Sequence, residues 1–191
     1  MVAGTLPAPW ARRDAALTDT TIAIRPERPS DYAEIHTFVR TAFETAKVAG
    51  GDEQCFVDRL RASGGYLPDL ALVATEGDRI VGHVMATRTA IDTPTGRREI
   101  LLFAPLAVAF DHRRRGLGAR LTRDVLERGR VGGFDAVTLV GDPAYYGRFG
   151  FRPASDFGVA NTNGIPDRYV QMLELVPGAL AGVVGTITYV T

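Results

Sequence analysis

The stretch from Leu106 to Leu121 constrains this chain more than any other. An apolar run, Leu106 to Phe110, has the composition of a strand. It meets a basic turn, Arg113-Arg114-Arg115-Gly116-Leu117-Gly118, and an amphipathic helix follows. A helix start exposes N–H groups with no intrahelical partner, and its macrodipole makes that end partly positive. Such an end attracts anions, phosphates above all. Gly116 and Gly118 lack a Cβ, so a ligand can come close to the main chain. The arginines at 113–115 add charge and a planar fork suited to phosphate. A Gly-x-Gly by itself is equally at home in a solvated strand–helix junction. Two familiar phosphate loops do not fit. No Gly-Lys-Ser/Thr follows, so a P-loop fails, and residue 121 is Leu where a dinucleotide fingerprint needs its third glycine.

The 191 residues, 46% hydrophobic and 23% charged, suit one globular domain with a sizeable core. Residues 20–191 read as that domain, and residues 1–19 as a flexible N-terminal tail in which Trp10 has the chemistry to dock. Formal charge is zero, with 22 basic and 22 acidic side chains, so charge gives no support to a nucleic-acid or membrane-surface role. A single cysteine, Cys55, excludes an intramolecular disulfide and fits a reducing compartment. No apolar run reaches the ~20 residues of a bilayer span, and the N-terminus lacks a signal-type apolar core. The expected location is cytoplasmic.

Taken in order, Thr21–Arg25 alternates as a first strand. A helix follows, with Ser30 or Asp31 as N-cap, a capping-box spacing from Asp31 to Glu34, and Tyr32, Ile35, Val39, Ala42 and Phe43 on one face. Asp52 can cap a second helix, where Phe56, Val57 and Leu60 form the apolar stripe and Cys55 is expected to pack. Residues 70–75 and 80–91 read as an antiparallel hairpin, and Glu99 to Phe110 as the next strand. Pro105 lies inside that strand with apolar residues on both sides. Proline cannot donate to a ladder, so a bulge is inferred near Ala104–Leu106. The following helix carries Gly118, Leu121, Thr122, Val125, Leu126 and Gly129 on one face, and residues 136–140 form a short buried strand. Strand, helix and strand suggest a right-handed parallel crossover added to an antiparallel sheet. A short helix is expected from Pro143, further strands at 169–175 and 185–190, and loop at 152–168. The fold class is therefore α+β: a mixed, mainly antiparallel central sheet flanked by helices.

The strand Leu106-Ala107-Val108, the loop Arg113-x-x-Gly116-x-Gly118 and Tyr146-x-x-x-Gly150-Phe151 stand in the order and spacing of the GNAT N-acetyltransferases, which this chain resembles over roughly residues 21–190. The longer string from Asp142 to Phe151, with Ile80-Val81-Gly82-His83 and Leu173-Glu174-Leu175, resembles the YhbS-type branch. The resemblance implies the GNAT fold and an N-acetyltransferase using acetyl-CoA as co-substrate, without metal. Its acceptor would be a small-molecule or peptide amine, and a homodimer is among the expected states. It implies that the amides from Arg114 through Arg115, Gly116, Leu117, Gly118 and Ala119 hold the coenzyme pyrophosphate, with Arg113 at the motif's first position. Main-chain groups of Leu106, Ala107 and Val108 would pair with the pantetheine arm, in a slot opened where the next strand splays away. The region of the first two helices would border the acceptor site. One departure stands out: many members carry asparagine before the last motif helix, where this chain runs Gly141-Asp142-Pro143.

Acetyl transfer needs a neutral amine, a donor for the developing oxyanion and a proton for the departing thiolate. The backbone N–H of Val108 or a neighbour is the expected oxyanion donor. Tyr146 matches the family's tyrosine acid, and Tyr145 is expected to be structural. No base is evident. His83, His36, Glu44 and Glu99 are candidates; a mid-strand histidine such as His83 is ordinarily a core or wall residue, and His112 reads as a loop residue. The histidines and the cysteine show no metal-ligand spacing. No Gly-x-Ser-x-Gly elbow supports a serine hydrolase. Two rival readings remain: a non-catalytic acyl-CoA-binding or sensing domain on the same fold, and a nucleotide-phosphate module unrelated to coenzyme A.

Overall fold

A computed structural model describes Trp10, residues 22–45 and residues 51–189. In chain order the elements are β1 (Ile22–Pro26), α1 (Tyr32–Phe43), α2 (Glu53–Ala62), β2 (Ala71–Glu76), β3 (Arg79–Thr93), β4 (Gly96–Val108) and α3 (Leu117–Val131). Then come β5 (Ala136–Val140), α4 (Pro143–Tyr146), β6 (Arg152–Pro153), β7 (Val159–Asn161), β8 (Val170–Glu174) and β9 (Gly185–Ile187). The main path across the sheet is β1-β2-β3-β4-β5-β8-β6, and β9 joins β3 to β7. Within that path only β4 and β5 run parallel, linked through α3. This is the mixed α+β arrangement expected from the sequence.

The alternation of strand side chains divides the core in two. On one face, Leu117, Leu121, Val125 and Leu126 of α3 pack with Leu72, Val84, Leu101, Phe103, Val137 and Leu139. On the other, Ile35 and Val39 of α1 and Val57 and Leu60 of α2 pack with Val73, Met85, Ile100, Leu102 and Ala107. Trp10, 2% exposed, joins the α3 face, and Arg123 Nε donates to its carbonyl at 3.0 Å. The remainder of residues 1–19 lies outside the described residues.

Pro105 marks the bulge that the sequence implied. Val84 lies opposite Leu106 and Ala86 opposite Phe103, so Ala104 and Pro105 together face Met85 alone. The Ala104–Pro105 peptide is cis. β4 and β5 then share only two rungs, Leu101–Val137 and Leu102–Thr138, while β5 continues alongside β8 to Val140–Val170. Above Leu102 the sheet is split.

Several local expectations change in the structure. Phe110–His112 is a 3-10 turn and β4 ends at Val108. The capping box at α1 does not form. Asp31 is drawn into an ion pair with Arg25 at 2.6 Å and accepts from Arg28 N, while Glu34 accepts from Ile80 N at 3.0 Å and tethers α1 to β3. Cys55 is exposed, because Val57 and Leu60 turn α2's buried stripe away from it. The stretch 152–168, read as loop, holds the short strands β6 and β7.

One polar cluster fastens α2 to the sheet. The Glu27 side chain is fully buried and accepts from Arg61 Nε at 2.8 Å, Arg61 Nη2 at 3.1 Å and Tyr66 Oη at 3.0 Å, with His83 Nε2 at 3.0 Å. Arg61 also lies over the Tyr32 ring at 3.9 Å. Burial alone would raise the Glu27 carboxyl, but hydrogen bonds from His83 and Arg61 outweigh it and hold the group at about 2, below its ordinary 4.5. That lowering corresponds to about 3 kcal/mol. Because the folded value is depressed, this stability is fully present above about pH 4.5 and is lost as the pH falls toward 2. Urea unfolding across that window is expected to show a steep acid loss in the wild type and a flatter profile in Glu27→Gln. The variant should also be less stable at pH 7 by about 1–3 kcal/mol, since Arg61 Nε and Nη2 lose their buried carboxylate while Nη1 keeps its bond to Asp58.

Candidate functional site

The split between β4 and β5 leaves main-chain groups facing an opening. Ala109 N donates to Val81 O, so these opposed residues form a hydrogen-bonded pair, and alternation makes Ala107–His83 the next one. The N–H and C=O groups of Ala107 are therefore turned to β3. Those of Leu106 and Val108 point the other way, into the slot. Of the residues expected to line it, Leu106 and Val108 do so through their main chain, and Ala107 only through its place between them.

At the open end of β4 the chain coils into a cradle. Arg114 has φ 61° and Gly116 has φ 82°, two left-handed residues within three, a pattern that turns successive N–H groups toward one concavity. Gly116 is the N-cap of α3 and offers no side-chain cap. The first helical bond runs from Arg120 N to Gly116 O, so Leu117, Gly118 and Ala119 keep N–H groups without an intrahelical partner. Arg114 and Arg115 are exposed beside them. Gly118 is required by packing: a Cβ there would stand 2.6 Å from Tyr145 Oη and 3.5 Å from Val108 Cγ2.

Arg113 points away from this cradle. Its Nη2 donates to Ala42 O at 2.6 Å, its Nη1 to Thr45 Oγ1 at 2.9 Å, and its Nε to Val108 O at 3.2 Å. The guanidinium thus closes the C-terminal end of α1, where a cation suits the dipole, and meets one slot-facing carbonyl.

Tyr146 ends α4. Asp142 caps that helix by accepting from Ala144 N at 2.9 Å, with Pro143 in the first turn. Gln171 Nε2 donates to Gly141 O at 2.9 Å and fixes the junction with β5. Gly141 is needed because the Tyr146 ring occupies the place a Cβ would take. The ring stands edge-on to Phe103 and Phe151, each at 5.8 Å, and to Tyr145 at 4.9 Å. Burial, then the neighbouring Tyr145 and Asp142, push its hydroxyl well above the ordinary range, so it stays protonated. Among the described residues that hydroxyl has no hydrogen-bond partner. Tyr145, expected to be structural, packs its ring on Phe149 and its hydroxyl on Gly118.

The base candidates are scattered. His83 is 0% exposed, with Nε2 on Glu27, so the structure places it as a wall residue sealed beneath α2. His36 pairs with Asp58 at 2.6 Å, Glu99 with Arg88 at 3.4 Å, and Glu44 lies on the surface. Among the described residues no cluster of His, Cys, Asp or Glu could hold a metal ion, and no helix is long and apolar enough to cross a membrane. Three features escaped the sequence reading: the Glu27 cluster, the close approach at Gly141, and the Thr138–Tyr189 contact described below.

A split parallel pair, an uncapped helix start and a half-buried tyrosine thus lie around one opening. An acetyltransferase (GNAT) domain model matches residues 23–154. The chain belongs to the GNAT acetyltransferase family. Among its curated relatives is the uncharacterized N-acetyltransferase YhbS of Escherichia coli K12, 32% identical over 167 residues, 87% of this chain and 95% of that protein. A second, YjhQ of the same organism, is 31% identical over 80% of this chain and 85% of its own. A crystal structure of E. coli YhbS in complex with CoA superposes with TM-score 0.77 at 30% identity, covering 94% of this chain and 93% of that one. A Brucella melitensis GNAT acetyltransferase in complex with acetyl-CoA gives TM-score 0.72 at 29% identity, over 89% and 96%. The YhbS-like branch expected from the Asp142–Phe151 string is the one these comparisons support.

In this GNAT protein the packing of Gly118 on Tyr145 is directly testable. Gly118→Ala should gain helix propensity yet destabilise the fold by roughly 1–3 kcal/mol through overpacking. Adding Tyr145→Phe, which removes the clashing oxygen, should recover most of that loss in thermal unfolding.

Proposed function

We propose that this GNAT protein is an N-acetyltransferase that takes an acetyl group from acetyl-CoA and delivers it to a primary amine in a ternary complex. The observation that carries this reading is the slot itself, with two outward main-chain faces, Leu106 and Val108, leading directly to the cradle at 114–119. The residues present fit the coenzyme. N–H groups of Leu117, Gly118 and Ala119, the left-handed turns at Arg114 and Gly116 and the exposed Arg114 and Arg115 supply donors and positive charge for a diphosphate. Leu106 and Val108 supply donors and acceptors for an amide-bearing arm laid along the strand.

The coenzyme brings an activated thioester, and the protein supplies the polar groups around it. The N–H groups of Val108 and of Leu106, the deeper of the two, are directed where an oxyanion would form. Tyr146, kept protonated by burial, is the proton donor for the departing thiolate. His83 is engaged by Glu27, His36 by Asp58 and Glu99 by Arg88, so in this reading the amine's proton leaves to solvent water. His83, the remaining base candidate, serves by filling the wall and binding Glu27. The acceptor is a small-molecule or peptide amine, approaching from the face opposite α3.

A non-catalytic acyl-CoA sensor is the second reading, favoured by the engagement of His83, His36 and Glu99 with other side chains. The two separate on one variant. With a panel of primary amines and acetyl-CoA, the wild type should release free thiol. Tyr146→Phe should lower kcat by about 10²–10⁴ while calorimetry gives an unchanged affinity for CoA. Thiol release unaffected by the substitution would remove Tyr146 from the mechanism. CoA binding with no release for any amine would favour the sensor.

A further inference from the structure

The α3 side of the slot is closed by the rings of Tyr145, Tyr146, Phe149 and Phe151, which pack into the α3 core. The opposite side is bounded differently. There α1 and α2 lie on β2, β3 and the Ala107 end of β4, while β7, β9 and the chain after β9 lie on the other end. Between these blocks stands one polar contact that neither the fold nor the proposed chemistry has used.

Thr138 forms the last rung with Leu102 before the strands part. Val137 and Leu139 face α3, so Thr138 faces the opposite side. Its hydroxyl is bonded to Tyr189 Oη at 2.7 Å and to Gln171 O at 3.1 Å. The Tyr189 hydroxyl therefore sits at the level where the slot narrows to nothing, with Leu102 in the same apolar cluster. Tyr189 is only 7% exposed and is held from behind. Asn163 donates to its carbonyl at 3.0 Å and accepts from its N–H at 2.8 Å, and Thr162 bonds Thr188 at 2.7 Å. Burial pushes the phenol up to about 12, so it remains a neutral, uncharged surface.

An arm anchored at 114–119 enters the slot at Val108 and brings its thioester to Leu106, the deeper donor, beyond which the bulged segment of β4 leads to Leu102. Its acyl end is the part directed at the narrow end. We infer that Tyr189, braced by Thr138 and Asn163, is the floor of the acyl pocket and restricts this protein to short acyl groups. The inference rests on the proposed use of acyl-CoA. An apolar pocket distinguishes one methylene by about 10–200-fold, so a rigid floor of this kind is a sharp filter.

The test needs no acceptor. Calorimetry on the full chain would compare CoA, acetyl-CoA, butyryl-CoA and hexanoyl-CoA for the wild type, Tyr189→Ala and Tyr189→Phe. The wild type should bind acetyl-CoA at least 100-fold more tightly than hexanoyl-CoA. Tyr189→Ala should shrink that ratio at least tenfold while CoA affinity changes less than about threefold, and Tyr189→Phe, which keeps the ring, should retain most of the selectivity. If Tyr189→Ala fails to fold in thermal melts, Tyr189→Leu, which shortens the side chain but keeps it apolar, takes its place. An unchanged acetyl-to-hexanoyl ratio in the shortened variants, or a wild type indifferent to chain length, overturns the inference and leaves CoA binding intact. Absence of CoA binding in the wild type would instead overturn the proposed function, and this inference with it.

Discussion

Beyond the Leu102–Thr138 rung, β4 and β5 stop bonding each other, and the main-chain groups of Leu106 and Val108 are left without a strand partner. In a sheet interior such groups cost about 1–3 kcal/mol each when they are neither paired nor hydrated. The protein tolerates the break because other contacts hold the strands apart. Ala104 and Pro105 stand against Met85 alone and bend β4, since a proline has no N–H to rejoin the ladder. On the far side, β8 pairs β5 along its whole length and keeps it in line. Arg113 meets the Val108 carbonyl meanwhile. The slot is thus a built feature of the sheet, with strand-like donors and acceptors waiting at its rim.

The proposed anion site is made mostly from backbone, so a chain of zero formal charge would not need a surplus of basic side chains to hold a highly charged ligand there. Uncapped N–H groups at the start of α3 contribute partial positive charge at fixed positions, with no side-chain entropy to lose on binding. The arginines divide their tasks by geometry. Arg114 and Arg115 remain exposed beside the cradle, whereas Arg113 is fixed to the last turn of α1 and to β4. A charge count along the sequence does not separate these roles, because the separation depends on where α1 ends in space.

Features written in neighbouring residues were legible. Pro105 between apolar residues implied the bulge, Pro143 implied α4, and the Gly116-x-Gly118 turn implied the open helix start. Where partners lie far apart in the chain, local rules misled. The Asp31–Glu34 spacing has the form of a capping box, yet both carboxylates bond outside it, Asp31 to Arg25 and Glu34 to Ile80 N across 46 residues. Cys55 was expected to pack from its position within an apolar helix, and the true stripe leaves it outside. His83 was named a base candidate for its residue type alone. Its meaning changes once Glu27, 56 residues earlier, is seen against it.

The Glu27 cluster shows how the two faces of the sheet come to serve different ends. A carboxylate with no exposure needs partners to offset its desolvation, and it finds them on α2, on β3 and on the segment carrying Tyr66. An apolar residue of similar size would bury there at less cost, but it would let α2 slide, since apolar contacts have no preferred direction. Hydrogen bonds to Arg61 and Tyr66 fix the helix and its following loop in both position and angle. The wall of the face opposite α3 is therefore set by directional bonds, whereas the α3 face is set by ring packing. An arm threaded through the split, as proposed, would pass from a surface shaped by backbone donors and aromatic rings to one shaped by a rigid polar frame. That asymmetry suits a site that holds one reactant of constant structure and orients another of different chemistry against it.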